Sequence, residues 1–200
     1  LLLSADLQER GRVDVTRMAK WRVKGGIGTV NKRGLFSPKK DGTGVLVAHF
    51  ANREVSIPVQ VSGMTSNWKP DFIEDVNPII SKLGCNSGTC HGSKEGKNGF
   101  KLSLRGYDAL YDVRAFTDDM ACRRVSVASP DSSLMLLKAS GRVPHEGGQL
   151  VDSNSKYYQV IKAWIANGAP LATNAVRVNK IELFPQDPVV QEIGSTQQMR

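Results

Sequence analysis

Long apolar runs are missing from this 200-residue chain. None approaches the roughly 18 residues that a membrane-spanning helix requires, so no span is expected. Nor is a signal peptide expected at Leu1–Leu3, a run too short for one and without a basic start. The first residue is Leu rather than Met, which reads as a mature product or an excised piece. Aromatic residues make up only 6% of the chain, and no basic stripe with stacking aromatics appears. That argues against nucleic-acid binding. Cysteines number three, an odd count that argues against a disulfide framework.

Charge is present but uneven. The formal net charge is +8. Residues 1–70 hold twelve Lys/Arg against five Asp/Glu, whereas residues 71–175 hold twelve against eleven and residues 176–200 three against three. The basic excess therefore belongs to the first section, scattered over strands and turns as a solvated surface. Hydrophobic residues form 40% of the sequence, ordinary for a globular protein.

Residues 1–63 read as all-β. Strands are expected at Val13–Thr16, Ile27–Val30, Leu35–Phe36, Gly44–Phe50 and Glu54–Val61. Val45, Val47 and His49 alternate with Leu46, Ala48 and Phe50, the period-two pattern of a strand. Asn31-Lys32-Arg33-Gly34 and Lys40-Asp41-Gly42 supply turns. The succession Asp14-Val15-Thr16, Gly28-Thr29-Val30, Gly34-Leu35-Phe36 and Gly42-Thr43-Gly44 resembles the bacterial immunoglobulin-like domain, group 2. The resemblance implies an immunoglobulin-like β-sandwich.

Residues 64–70 form a polar linker ending in Pro70. Asp71–Leu83 then predicts a helix, capped by Asp71, broken at Pro78 and stopped by Gly84. Residues 92–106 predict a loop with an extended piece at Phe100–Leu104. Tyr107–Met120, Ser132–Ser140 and Ser155–Asn167 predict further helices, the last with Tyr158, Ile161, Trp164 and Ile165 on its buried face. Residues 176–200 return to a β-like pattern.

The chemistry concentrates at Cys85-Asn86-Ser87-Gly88-Thr89-Cys90-His91, a C-x4-C-H run. Covalent haem needs two thiols for the two vinyl groups and an imidazole from the same turn, usually as C-x-x-C-H. The adjacency of Cys90 and His91 is kept, and the two additional residues must bulge out, with Gly88 the most tolerant of them. The spacing alone leaves free structural thiols and a zinc site open beside haem, although no second half at zinc-finger spacing is evident.

The run Gly84–Gly92, then Gly96–Asp108, Arg123-Arg124-Val125, Ser132-Ser133-Leu134, Val143-Pro144-His145 and Trp164-Ile165, resembles the planctomycete-type cytochrome c domain. The likeness spans roughly residues 71–172. It implies a mainly α-helical cytochrome c-like domain at 71–175, one covalent haem c on Cys85 and Cys90, and His91 as the first iron ligand. It also implies single-electron transfer with a redox partner protein, and a periplasmic or cell-surface location within an exported multidomain protein.

Where simpler relatives place a Met-Pro pair, this chain has Val143-Pro144, and valine cannot bind iron. His145 follows in the same loop and is the candidate second ligand, with Met135, Met120 or an open position as alternatives. His49 lies in the β section and is set aside. Arg105, Arg123, Arg124 and Lys101 are candidate partners for the haem propionates, since guanidinium matches carboxylate well. Trp164 is assigned to the core. Cys122 departs from the family pattern and is expected as a buried or partly buried free thiol. An open sixth position would make the site a haem enzyme or sensor, and a haem that only staples the fold would make it a structural module. Residues Ile181–Gly194 and Gln197–Met199 resemble opening strands of the immunoglobulin-like family. The tail therefore either begins a further domain or completes residues 1–63, of its own chain or of a neighbour in self-association.

Overall fold

Turn residues set the boundaries of the β section. Gly34 has a φ of +75°, a conformation that costs glycine little. The Asn31 carboxamide accepts from the amides of Arg33 and Leu35 and closes the turn. The computed structural model describes every residue except 8–10, 175–177, 189, 191 and 192. The chain divides into two compact units, Leu1–Asn67 with Val178–Arg200, and Trp68–Arg177. No helix among the described residues is long and apolar enough to cross a membrane.

The first unit holds seven strands among its described residues: β1 Ser4–Leu7, β2 Gly11–Asp14, β3 Lys20–Lys24, β4 Gly28–Val30, β5 Phe36–Pro38, β6 Gly42–Phe50 and β7 Arg53–Val61. They pair as β1-β2, β3-β6-β7 and β4-β5, all antiparallel. Val15, Ile27, Leu46 and Val47 are buried between them. Thus the strands form three small sheets, where a single sandwich was expected. The tail shows no strand among its described residues, although Phe184 and Arg200 exchange backbone hydrogen bonds of 2.8 and 2.9 Å. Gln198 donates through its amide to Asp14 at 2.9 Å and through its side chain to the Leu1 carbonyl at 2.6 Å. Part of the expected C-terminal β segment, at 176–177, 189 and 191–192, lies outside the described residues.

The second unit begins with a π-helical turn, Phe72–Val76, that runs into α1 Asn77–Lys82. Pro78 sits in the first turn of α1, where its missing N–H costs nothing. Then come α2 Ala109–Thr117, α3 Leu134–Ala139 and α4 Lys156–Ala166, capped in turn by Asp108 for α2 and Ser155 for α4. Helix accounts for only 23% of the structure, so the expected mainly α-helical domain at 71–175 is not what forms. The physical reason is the density of left-handed backbone. Gly84, Gly96, Gly99, Gly106, Gly141 and Gly168 all have positive φ, as do Asn98, Arg105, Met120 and Cys122. Each such residue ends or prevents a helix. Long loops therefore carry much of this unit, and the helices pin them.

What they pin is an aromatic core. Phe72 and Trp164 are fully buried, with ring centroids 5.5 Å apart, and Phe116 lies 6.3 Å from Phe72. Trp164 donates its indole N–H to the Pro170 carbonyl at 2.9 Å, which satisfies its one polar group. Asp71 joins the two ends of the unit. One carboxylate oxygen accepts from the Ile73 amide at 2.8 Å, and the other from the Ala172 amide at 2.6 Å. Asp71→Ala loses both bonds and is expected to cost about 2–3 kcal/mol. Urea denaturation of the purified protein checks this, and a loss below about 0.5 kcal/mol, within the range of ordinary surface changes, would count against the clamp.

Candidate functional site

Helix α1 ends at Gly84, whose φ of +80° turns the chain sharply. The next seven residues fold back on themselves. The Cys85 amide donates to Ile80 at 2.9 Å, the Cys90 amide to Ser87 at 3.0 Å, and the His91 amide to the Cys85 carbonyl at 3.0 Å. That last bond closes the C-x4-C-H run into a loop and brings its ends together. Asn86 does not bulge outward. It is buried, donates to the Ser81 hydroxyl at 2.7 Å, and accepts from the Arg105 amide at 2.9 Å. The glycine that this loop needs is Gly92 rather than Gly88. A Cβ on Gly92 would lie 2.1 Å from the Asn86 carbonyl oxygen, whereas the nearest contact for one on Gly88 is 3.7 Å.

The loop opens onto a cavity of about 800 Å³, a size typical of ligand and cofactor sites. Ile80, Leu83, Leu102, Phe116, Leu134 and Ile161 form much of its apolar wall. Cys85, Cys90, His91 and His145 all line it, as do Met120 and Met135. Thus the four residues singled out for attachment and ligation share one space, although 54 positions separate the two histidines in sequence.

The two imidazoles are arranged alike. Their ring centroids lie 6.5 Å apart and their planes differ by 8°. Two imidazoles bound to one metal are separated by two bonds of about 2.0 Å and two ring radii, on the order of 6 Å in all. His91 Nδ1 lies 3.0 Å from the Phe100 carbonyl and His145 Nδ1 lies 3.0 Å from the Gly148 carbonyl. A carbonyl only accepts, so Nδ1 is the donor in both rings and Nε2 is the nitrogen left to face a metal. A backbone carbonyl bonded to Nδ1 in this way fixes the orientation of each ring, as it does in histidines that bind metals through Nε2.

Electrostatics favour the neutral forms. Burial pushes the Cys85 thiol up to about 11, so it stays protonated at neutral pH. Burial also lowers the His91 pKa, helped by the nearby His145 ring and the cations Arg124 and Lys138 and opposed by its bond to the Phe100 carbonyl.

The cationic residues divide. Arg123 lines the cavity. Arg124 lines it too, but its guanidinium is engaged with the Ala115 and Gly99 carbonyls at 2.7 and 2.9 Å. Arg105 and Lys101 are not among the lining residues, and Arg105 stands exposed in a turn with φ +55°. His49 lies on β6 of the first unit, opposite Lys20 and Glu54. Cys122 is exposed, where a buried or partly buried thiol was expected, because its φ of +62° places it in a surface turn. Sequence reasoning missed Lys97 and Lys138, which both line the cavity. Lys138 was within reach of a pattern argument, since it follows Met135 by three positions on α3.

These residues fit a haem better than a bare metal ion. Among the described residues no three His, Cys, Asp or Glu side chains converge to hold an ion. Two imidazoles suffice where a porphyrin brings its own four nitrogens, and two thiols within one closed loop suit its two vinyl groups. No protein-family description, curated protein or solved structure matches the chain.

The two loop glycines make a differential test. Gly92→Ala must displace the Asn86 carbonyl and is expected to cost about 1–3 kcal/mol. Gly88→Ala is expected within about 0.5 kcal/mol of wild type. Denaturant titration of both variants checks the ranking, and equal stabilities would argue against the loop as described.

Proposed function

We propose that the unit Trp68–Arg177 is a monohaem c-type cytochrome module that transfers single electrons. The observation that carries this reading is the parallel pair His91 and His145, 6.5 Å apart, each with Nδ1 bonded to a backbone carbonyl. The C-x4-C-H run beside the same cavity supports it, as does the resemblance to the planctomycete-type cytochrome c domain. When bound, the haem supplies reversible one-electron chemistry between Fe(III) and Fe(II).

The chain's own residues supply the rest. Cys85 and Cys90 would attach the group by thioether bonds, each thiol adding across a vinyl double bond with sulfur to one carbon and hydrogen to the other. His91 and His145 would hold the iron through Nε2. Two nitrogen ligands leave no open position, which suits electron transfer over catalysis, and set a lower potential than a His/Met pair. The apolar wall excludes water. Arg123 and Lys138 place positive charge at the cavity, where the two propionates need it, whereas Lys97 faces Glu146 of the same lining at 3.9 Å. Covalent attachment of this kind takes place outside the cytoplasm, so the module belongs in the periplasm or at the cell surface, where it serves a redox partner protein.

After expression in a host competent in cytochrome c maturation and acid–acetone extraction, the intact mass should equal the chain plus one haem. A bare chain mass would falsify the attachment. Cys85→Ala and Cys90→Ala should each leave a single thioether and move the α band of the pyridine haemochrome. For ligation, His145→Ala should convert a low-spin spectrum into a high-spin one that binds cyanide rapidly. Because Met120 and Met135 line the same cavity, a spectrum insensitive to His145→Ala but altered by Met135→Leu or Met120→Leu would replace His145 with a methionine.

A further inference from the structure

Arg124 is an unusual residue to find buried, with only 7% of its surface exposed. Three groups hold it. Nη1 donates to the Ala115 carbonyl at 2.7 Å and to Asp119 at 3.2 Å, and Nη2 donates to the Gly99 carbonyl at 2.9 Å. Its guanidinium carbon also sits 4.5 Å from the centre of the Phe100 ring, a cation–π contact. Phe100 in turn lies against His91, with ring centroids 4.6 Å apart, and its carbonyl accepts the His91 Nδ1 proton. Arg124 thus grips the backbone just before Phe100 and the ring of Phe100 itself. Both grips act on the residue that orients His91.

From this arrangement we infer that Arg124 is a positioning residue for the His91 side of the site and the fixed cation that tunes its reduction potential. The inference rests on the haem reading above. Guanidinium cannot lose its proton in a protein, so the charge is permanent. A permanent cation in a partly dry setting disfavours the additional positive charge of the oxidised state and raises the potential. Asp119, mostly exposed at 64%, offsets the cation from the solvent side. Its effect is screened and correspondingly smaller.

The test uses the full-length holoprotein. Haem content is measured by intact mass, the midpoint potential by spectroelectrochemical titration, and ligand orientation by electron paramagnetic resonance of the oxidised form. Arg124→Gln should lower the potential and alter the g-values while retaining one haem per chain. Arg124→Lys, which keeps the charge but cannot bridge both carbonyls, should stay nearer the wild-type potential and still alter the g-values. Asp119→Asn should raise the potential, less so at high salt. Wild-type potentials and g-values in Arg124→Gln and Asp119→Asn overturn the inference. Should Arg124→Gln fail to fold, an unchanged or lowered potential in Asp119→Asn overturns it alone. A wild-type chain without haem overturns the underlying reading and this inference with it.

Discussion

The hydrogen bond between His91 Nδ1 and the Phe100 carbonyl is the constraint around which the second unit is arranged. It fixes the imidazole tautomer and its plane, and it does so from a loop rather than from a helix or strand. A loop carbonyl is a reliable acceptor only if its own backbone is immobile. Several features provide that. The Phe100 amide and carbonyl both pair with Lys97, the Leu102 amide donates to the His91 carbonyl, and Leu102 is fully buried. On the next residue, Ser103, the amide and hydroxyl both donate to the buried carboxylate of Asp112. Burial raises the Asp112 pKa and the two bonds from Ser103 oppose that rise, as expected of a carboxylate used as an internal strut.

His145 is held differently. Its Nδ1 partner, Gly148, is in its own loop, so the imidazole is set by a local turn. That turn reaches α3 through Lys138, which donates to the Pro144 carbonyl at 2.6 Å. One imidazole is therefore built into the packed body of the unit, and the other is carried on an exposed segment beside two glycines.

A small apolar core has to support these loops. Phe72, Phe116, Trp164 and the buried face of α4 supply it, and Phe100 joins them at 5.1 Å from Phe116. The core thus runs without a break from the clamp at Asp71 to the ring that contacts His91. Burial of large aromatic rings is an efficient way to stabilise a unit with short helices, because each removes much apolar area per residue ordered.

Local chemistry was legible in the sequence wherever it depended on neighbours along the chain. Asp71 and Ser155 read as helix starts because capping is a matter of a side chain and the amides two or three residues on, whereas the cap at Asp108 was passed over when that helix was begun at Tyr107. The adjacency of Cys90 and His91, and the paired thiols, needed no fold to be noticed. Strands β1 and β3 went unread, and β3 carries the alternation Trp21, Val23 between Lys and Arg that marks a half-buried strand. Helix content was overestimated: the helix expected over Tyr107–Met120 ends at Thr117, because apolar spacing does not report that the backbone turns left-handed at Met120. By itself, then, the sequence determined which groups could react and where the helices begin. Only the tertiary structure decided that His145 faces the same cavity as His91, that Gly92 rather than Gly88 is indispensable to the loop, and that Arg124 points into the backbone. The reason is that each of these rests on a contact between residues distant along the chain or on the path of a loop, and neither is encoded in periodicity.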